Sequence, residues 1–307
     1  MDNIAETEQR GTRSPFPPEA IALADKVASL ASLPGTCVRV MSMAETPDVS
    51  ATDIGEVVSL DPGLSARLLK LVNSAYFALP RKVDSIAEAI RIAGTNALRN
   101  LALATGALSA FEGIPNAIVD MESFWSQSVY CALAARELGR IARLRDPERG
   151  FICGLLHAIG QLVMYSCEPA KSLAVLTALR RGERARAGIE ANVFGCSHAE
   201  VGAALLAAWR VPESIVVPVR YQMSPADADP FRAETATLAI AASLAEACGT
   251  AARSTALGPD AAMARVPAEI WLLADLAPEV TAHVVEEIDA LWFDVIEILS
   301  PGATLID

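Results

Sequence analysis

The chain has three histidines, His157, His198 and His283, and imidazole is the side chain best suited to bind a metal ion or move a proton at neutral pH. His157 stands in the apolar stretch Leu-Leu-His-Ala-Ile-Gly at residues 155–160. An aspartate in place of Ala158 would give a histidine–aspartate pair that could hold a divalent cation. The sequence therefore keeps one ligand of such a pair and lacks the carboxylate that would balance the charge of the metal.

The three histidines are expected in different environments. An unpartnered imidazole is costly to bury, so His157, inside an apolar helix, needs a hydrogen-bond partner. His198 directly follows Ser197, which forms a capping-box pattern with Glu200. The first turn of a helix favours a neutral imidazole, which can bind a ligand or form a hydrogen bond. His283 lies in an acidic helix next to its apolar stripe, where a partly buried structural role is expected.

Apolar residues recur at helical spacing along nearly all of the chain. Asp61 and Pro62 fit the N-cap and first turn of an apolar helix whose C-terminal end would be capped near Asn73 and Ser74. No run of alternating strand residues and no glycine-rich phosphate-binding loop interrupts this pattern. The sequence predicts an all-α fold.

The segment at residues 85–102 has the helix–glycine–helix rhythm of a DNA-reading motif. Ser85 with Glu88 predicts a capping box that opens a helix over residues 86–93, Gly94 ends that helix, and a second helix starts at Thr95. The second helix has the composition of a core helix, and the chain has a net charge of −12. We therefore expect a packed αα-corner and no binding to nucleic acid.

Composition places the chain among folded proteins without a membrane span. Apolar residues make up 52% of its 307 residues, and six scattered cysteines are expected to be small buried hydrophobes. The longest uncharged run, residues 150–167, is too short and too polar to cross a membrane, so we expect a buried helix. No secretory signal is apparent at the N-terminus, which predicts a cytoplasmic location.

Charge is unevenly distributed. Residues 251–307 carry ten acidic residues and two arginines, a net charge of −8, whereas four arginines cluster near residue 182. These four, Arg180, Arg181, Arg184 and Arg186, are expected at a solvated helix end; a patch for an anion or an acidic partner is the alternative.

A series of motifs follows in a fixed order: Asp-Pro at 61–62, LLKLVNSAY at 68–76, IAEAI at 86–90, WSQS at 125–128, FICGLLHAIG at 151–160 and SHAEVG at 197–202. Over roughly residues 25–225 this order resembles the HDOD family, the HD-related output domain proteins of bacterial signalling. The residues of this chain that carry the motif, in structural or interaction roles, are Asp61, Pro62, Asn73, Ser74, Gly94, Trp125, Gly154, Gly160 and Gly202.

The resemblance implies a two-lobed, all-α HDOD fold whose second lobe is related to the HD phosphohydrolases, including the HD-GYP cyclic-di-GMP phosphodiesterases. The chain is then divided into a disordered tail at residues 1–17, an HDOD domain at 18–225 and an acidic helical extension at 226–307. Within the domain, residues 18–115 form the N-terminal lobe and residues 120–225 the HD-like lobe. Segments 112–121 and 223–233 are the expected breaks.

The resemblance also implies that the metal site of the HD enzymes is degenerate here. A ligand histidine would align with Gln127, the HD pair is His157 with Ala158, and later histidines would fall near Arg220, Tyr221 and Gln222. His198 alone is retained in its context. Two imidazoles without a carboxylate are too few for a hydrolytic cation, and Arg220 would add repulsion, so we expect no catalytic residue, metal or cofactor. The expected partners of the His157 ring are Gln127, His198 or Tyr221.

We therefore expect a bacterial signal-transduction pseudoenzyme that works by binding other proteins, through the groove between its lobes and its acidic C-terminal helices. By resemblance, the partners are proteins of two-component or cyclic-di-GMP signalling. Three alternatives stay open: a sensor that binds a nucleotide in the degenerate pocket, a residual metal-dependent phosphohydrolase, and a DNA-binding regulator.

Overall fold

The computed structural model describes residues 15–28, 33–44, 46, 49–77, 79, 81–111, 118–182, 186–248 and 263–299. Within these ranges the chain forms α-helices, one short 3-10 helix (Pro225–Asp227) and no strand, which confirms the all-α prediction. The predicted tail up to residue 14, most of the break at 112–121, and Arg184 lie outside the described residues.

The helices are α1 (Pro18–Ala28), α2 (Gly35–Ala44), α3 (Ala51–Ser59), α4 (Pro62–Val72), α5 (Ile86–Ala110), α6 (Met121–Ile141), α7 (Pro147–Leu156), α8 (Ile159–Cys167), α9 (Pro169–Arg180), α10 (Arg186–Phe194), α11 (His198–Ala208), α12 (Glu213–Tyr221), α13 (Arg232–Cys248), α14 (Ala268–Leu273) and α15 (Val280–Leu299).

Helix α4 begins and ends where the sequence predicts. The carboxylate of Asp61 accepts a hydrogen bond from the backbone N–H of Leu64 (3.0 Å), and Pro62 occupies the first turn. Asn73 caps the C-terminal end, and its amide also pairs with both backbone groups of Val83 (2.7 Å each). Asn73 therefore fixes the path of the chain towards α5 as well as ending α4.

Helix α5 has the predicted break in the middle. Gly94 lies in the left-handed region (φ 83°), so the helix changes direction there. The hydroxyl of Ser85 accepts from the backbone N–H of Glu88 (3.4 Å), but the reciprocal bond of the predicted capping box is replaced by an ion pair of Glu88 with Arg81. Residues 100–107 are all buried, as expected of a core helix.

Two lobes share one continuous hydrophobic core. Helices α2 to α5 pack on one another as the first lobe, and α6, α7, α8, α11, α12 and α13 form the second. Helix α1 lies in the range that the sequence assigns to the first lobe, yet it contacts α8 and α11 of the second. Helix α13 packs on α6 and α7 within the second lobe, whereas α15 packs on α6 and α4 and so joins both lobes.

Glycines of the sequence motifs lie where helices cross at short distance. A Cβ atom added to Gly154 of α7 would lie 2.6 Å from the Cα atom of Ala132 in α6. A Cβ atom on Gly160 of α8 would lie 2.0 Å from the carbonyl oxygen of His198 and 2.5 Å from the backbone nitrogen of Gly202, both in α11. These positions accept only glycine because backbone, rather than a movable side chain, occupies the space.

Within the described residues one stretch, Pro147–Cys167, has the length and hydropathy of a membrane span. It comprises α7 and α8 and the turn between them, and 78% of its apolar window is buried inside the protein. The predicted burial of residues 150–167 is confirmed, but the single predicted helix is wrong, because the chain turns at His157 and Ala158 between two helices.

Replacing Gly160 by alanine is predicted to destabilise the fold by at least about 3 kcal/mol, because the backbones of α8 and α11 must separate to admit the methyl group. The free energy of unfolding in urea measures the effect. The matched control is Gly188→Ala in α10, where an added Cβ meets nothing within 4 Å. That variant should be as stable as the wild type or up to about 1 kcal/mol more stable. Equal stability of the two variants would contradict the proposed role of Gly160.

Candidate functional site

His157 lies at the turn that joins α7 to α8 and is 8% exposed. Its Nδ1 lies 2.7 Å from the carbonyl oxygen of Gly154, so the neutral ring donates to the main chain of the preceding turn. The side-chain amide of Gln222, at the end of α12, donates to the carbonyl oxygen of His157 (2.8 Å). Among the described residues no hydrogen bond joins the ring to Gln127, His198 or Tyr221, so the expected side-chain partners are replaced by a backbone carbonyl.

Burial lowers the pKa of His157 to about 4. The hydrogen bond to Gly154 opposes this shift, and the nearby charges of His198 and Arg186 add to it. His157 is therefore neutral at physiological pH.

His198, the first residue of α11, forms the second part of the site. Its Nδ1 lies 2.7 Å from Oε2 of Glu190, and its backbone N–H donates to the same oxygen (2.8 Å). Both side chains are buried, since His198 is 2% and Glu190 1% exposed. The sequence analysis missed Glu190; its only signal is a lone acidic residue between the apolar neighbours Ile189 and Ala191.

Glu190 carries a negative charge in the core. Burial by itself would raise its pKa, but the contacts with His198 and the nearby Arg186 outweigh burial and hold the pKa below its ordinary value. The guanidinium of Arg186 lies 3.7 Å from the other carboxylate oxygen of Glu190. The carboxylate of Glu190 is thus both buried and ionised. One oxygen binds the imidazole and the backbone N–H of His198, and the other lies near the guanidinium of Arg186.

Arg220 does not lie where the sequence analysis expected it. Its guanidinium donates to the carbonyl oxygen of Pro15 and lies over the rings of Phe16 (5.0 Å) and Tyr221 (4.8 Å). The charges that add to the lowering of the His157 pKa are those of His198 and Arg186. Arg186 is a member of the basic cluster that the sequence analysis expected at a solvated helix end, but it begins α10 and its side chain is only 26% exposed, next to Glu190.

These residues do not fit the divalent metal of the HD enzymes. Gln127 offers an amide and Ala158 offers no donor, which leaves Nε2 of the two histidines as the nitrogen donors of the predicted pocket. The one carboxylate, Glu190, is neutralised by Arg186 and His198. Across the described ranges, no group of three or more His, Cys, Asp or Glu side chains is arranged to hold a metal ion.

A second polar cluster connects the lobes. The hydroxyl of Tyr76, just after α4, donates to Oε2 of Glu148 in α7 (2.5 Å), and Nε of Arg136 in α6 donates to Oε1 (2.7 Å). The Arg136 guanidinium also lies 3.9 Å from the centre of the Tyr76 ring, and Asn100 of α5 donates to the Glu148 carbonyl (3.1 Å). We call these four residues the lobe junction.

The lobe junction is packed rather than open. It borders a cavity of about 20 Å³, lined in part by Phe151 and by Leu299 of α15, which has room for about one water molecule. Tyr76 ends the motif at residues 68–76, but the sequence analysis named only Asn73 and Ser74 of that motif as candidates and did not name Arg136 or Glu148. Trp125, also in a motif, is 4% exposed and packs edge-on against Phe124, which is a core contact.

Comparison with known sequences identifies relatives of this chain. The sequence model of one family, described as the HDOD domain, matches residues 30–225. A protein of Treponema pallidum (strain Nichols), named only as uncharacterized, is 31% identical over 207 residues, which is 66% of this chain and 39% of that protein. The chain thus spans about two-fifths of the length of this curated relative.

Solved structures share the fold. A protein of Shewanella amazonensis SB2B that bears a provisional name as a phosphohydrolase has a TM-score of 0.72 and 27% identity, covering 91% of this chain and 98% of its own. An HDOD domain protein of unknown function from Geobacter sulfurreducens has a TM-score of 0.68 at 21% identity, covering 94% and 99% of the two chains. The fold similarity includes the C-terminal helices, which lie beyond the family match.

The lowered pKa of His157 predicts a loss of stability in mild acid. Between about pH 6.5 and pH 4 the unfolded chain binds a proton at this residue and the folded chain does not, so stability falls as the pH falls. The wild type should lose about 2 kcal/mol of unfolding free energy at this residue between about pH 7.5 and pH 5. His157→Asn, which can still donate to Gly154, should lack this contribution in urea titrations at the two pH values.

The control is Gly188→Ala, which changes no titratable group and where an added Cβ meets nothing within 4 Å. It should keep the pH dependence of the wild type. Glu190, whose pKa is lowered, contributes stability that is lost only below about pH 4.5, outside this window. If His157→Asn keeps the pH dependence of the wild type, the loss of stability in mild acid does not come from His157.

Proposed function

The chain belongs to the HDOD family, and from this premise we propose that it is a non-catalytic signal-transduction protein that acts by binding other proteins. The observation that carries the proposal is the charge of the degenerate HD pocket, in which the carboxylate of Glu190 is paired with His198 and Arg186. His157 donates to Gly154 through Nδ1, and Ala158 offers no ligand. A hydrolytic metal needs a carboxylate to balance its charge, and this donor set does not supply a free one.

The proposed contact surface is the region where the two lobes meet, together with the outer face of α15. The lobe junction ties the first lobe to the second through a few polar bonds, and a partner that spans both lobes would sense their relative orientation. Helix α15 contacts α6 and α4, so it extends over both lobes at the same time. The proposed partners are proteins of two-component or cyclic-di-GMP signalling.

The absence of catalysis is tested by elemental analysis of protein purified without chelators and by an assay for cyclic-di-GMP hydrolysis with added Mn²⁺. We expect far less than one Fe, Mn or Zn ion per chain and no turnover, in the wild type and in a His157→Asn/His198→Asn control alike. A stoichiometric metal that the double variant loses, or turnover of the dinucleotide, would overturn the proposal. A thermal shift produced by a cyclic dinucleotide in the wild type but not in the variant would point to the ligand sensor instead.

Partner binding is tested with Tyr76→Phe, which removes one bond of the lobe junction while Glu148 keeps its pair with Arg136. Loss of one charged hydrogen bond costs about 1.5–3 kcal/mol, so the variant should fold but hold its lobes less firmly. A protein that copurifies with the tagged wild type from its native cell should bind the variant at least about tenfold more weakly in calorimetry. Ser166→Ala, which removes a hydroxyl that donates to the carbonyl oxygen of Leu162 within α8, is the control and should bind normally. Failure of any protein to bind the wild type would count against the proposal.

A further inference from the structure

Asn100 of α5 carries a buried hydrogen-bond acceptor at the lobe junction. The residue is 5% exposed, and its side-chain nitrogen donates to the carbonyl oxygen of Glu148 (3.1 Å). This bond fixes which end of the amide is the nitrogen, so the other end, Oδ1, is an acceptor. Among the described residues no group donates to Oδ1, although the atom is buried. A buried acceptor without a donor is costly, which indicates that a molecule other than the protein binds there.

The cavity beside the lobe junction has the space for such a molecule. Asn100 lines it together with Tyr76 and Glu148, and the other lining residues are apolar. Its walls come from both lobes and from the end of α15, where Leu299 lies. A volume of about 20 Å³ admits one molecule of the size of water and no larger ligand while the lobes keep this arrangement.

The charges around the cavity favour a neutral molecule. One carboxylate oxygen of Glu148 accepts from the Tyr76 hydroxyl (2.5 Å), and the other accepts from Arg136 (2.7 Å). A bound cation would have to compete with Arg136 for this carboxylate, and the carboxylate would repel an anion. Water is neutral, fits the volume, and can donate one hydrogen to Asn100 and the other to a second acceptor.

We propose that the lobe junction binds one water molecule, which donates a hydrogen bond to Oδ1 of Asn100. The second acceptor is an oxygen of Glu148 or Tyr76, the other polar residues of the same cavity. Asn100 belongs to the first lobe and Glu148 to the second, so the water completes the polar contact where the lobes meet. The site is separate from the degenerate HD pocket and does not depend on the proposed signalling role.

A crystal structure of the full chain that shows ordered water is the direct test. We expect a water oxygen about 2.7–2.8 Å from Oδ1 of Asn100, inside the cavity. A cavity without a water peak in a map that shows other ordered water, or a protein side chain in this position, would overturn the proposal. The structure needs no variant, so its result does not depend on how a substitution folds.

Stability measurements in solution give a second test. Ala104 is fully buried, lies one turn after Asn100 in α5 and lines the same cavity. Ala104→Ser and Ala104→Cys each add a single heavy atom at this position. The serine hydroxyl can replace the water as a donor to Oδ1, whereas the thiol is a weak donor. The urea midpoint of Ala104→Ser should therefore be higher than that of Ala104→Cys.

The matched control is the same pair of substitutions at Ala241, which is fully buried in α13 and does not line the cavity. There the cysteine variant should have the higher urea midpoint, because cysteine is the more apolar of the two residues. Circular dichroism checks that all four variants fold. If the cysteine variant has the higher midpoint at residue 104 as well, the proposal is overturned. None of these results affects the metal and partner experiments above.

Discussion

The contact between α8 and α11 at Gly160 and Gly202 is the constraint from which the second lobe is built. Their backbones lie so close that a methyl group on Gly160 would overlap the carbonyl oxygen of His198. Helix α8 starts immediately after the His157–Ala158 turn, and His198 is the first residue of α11. The glycine contact therefore sets the positions of both histidines, and any larger residue would move one relative to the other.

The same lobe has to accommodate a charge in its interior. Removing an ionised carboxylate from water costs several kcal/mol unless other groups compensate it, and Glu190 is compensated on both oxygens. His198 provides two N–H groups to one oxygen, and Arg186 lies beside the other. In a catalytic HD site a carboxylate and imidazoles face a metal, whereas here the carboxylate of Glu190 faces His198 and Arg186, and the His157 ring bonds the carbonyl of Gly154. This explains how the fold persists around a pocket from which the central aspartate is missing.

The C-terminal helices are integrated into the molecule rather than appended to it. Trp292 of α15 donates to the carbonyl oxygen of Ser126 in α6 (3.3 Å), and Leu299 reaches the cavity beside the lobe junction. The buried face of α15 therefore stabilises the arrangement of the lobes. The acidic residues of α15 are exposed and give this side of the molecule a negative surface.

Local features followed from the sequence because their causes are local. Each of these features depends on residues only a few positions apart: the helix caps at Asp61 and Ser197, the left-handed break at Gly94, and the end of α4 at Asn73. The motif order indicated the family.

The partners of the buried polar groups did not follow from the sequence, because these partners are farther apart along the chain. Glu190 is eight residues from His198, and Tyr76 is 72 residues from Glu148. The sequence analysis also expected Arg220 near His157, whereas the structure has Arg186 there. Helix packing decides which of the two arginines is directed inward. The sequence by itself determined the helices, the lack of a carboxylate at residue 158 and the need of His157 for a partner. Only the tertiary structure decided which groups neutralise one another, because charge compensation in a core depends on distances that packing alone sets.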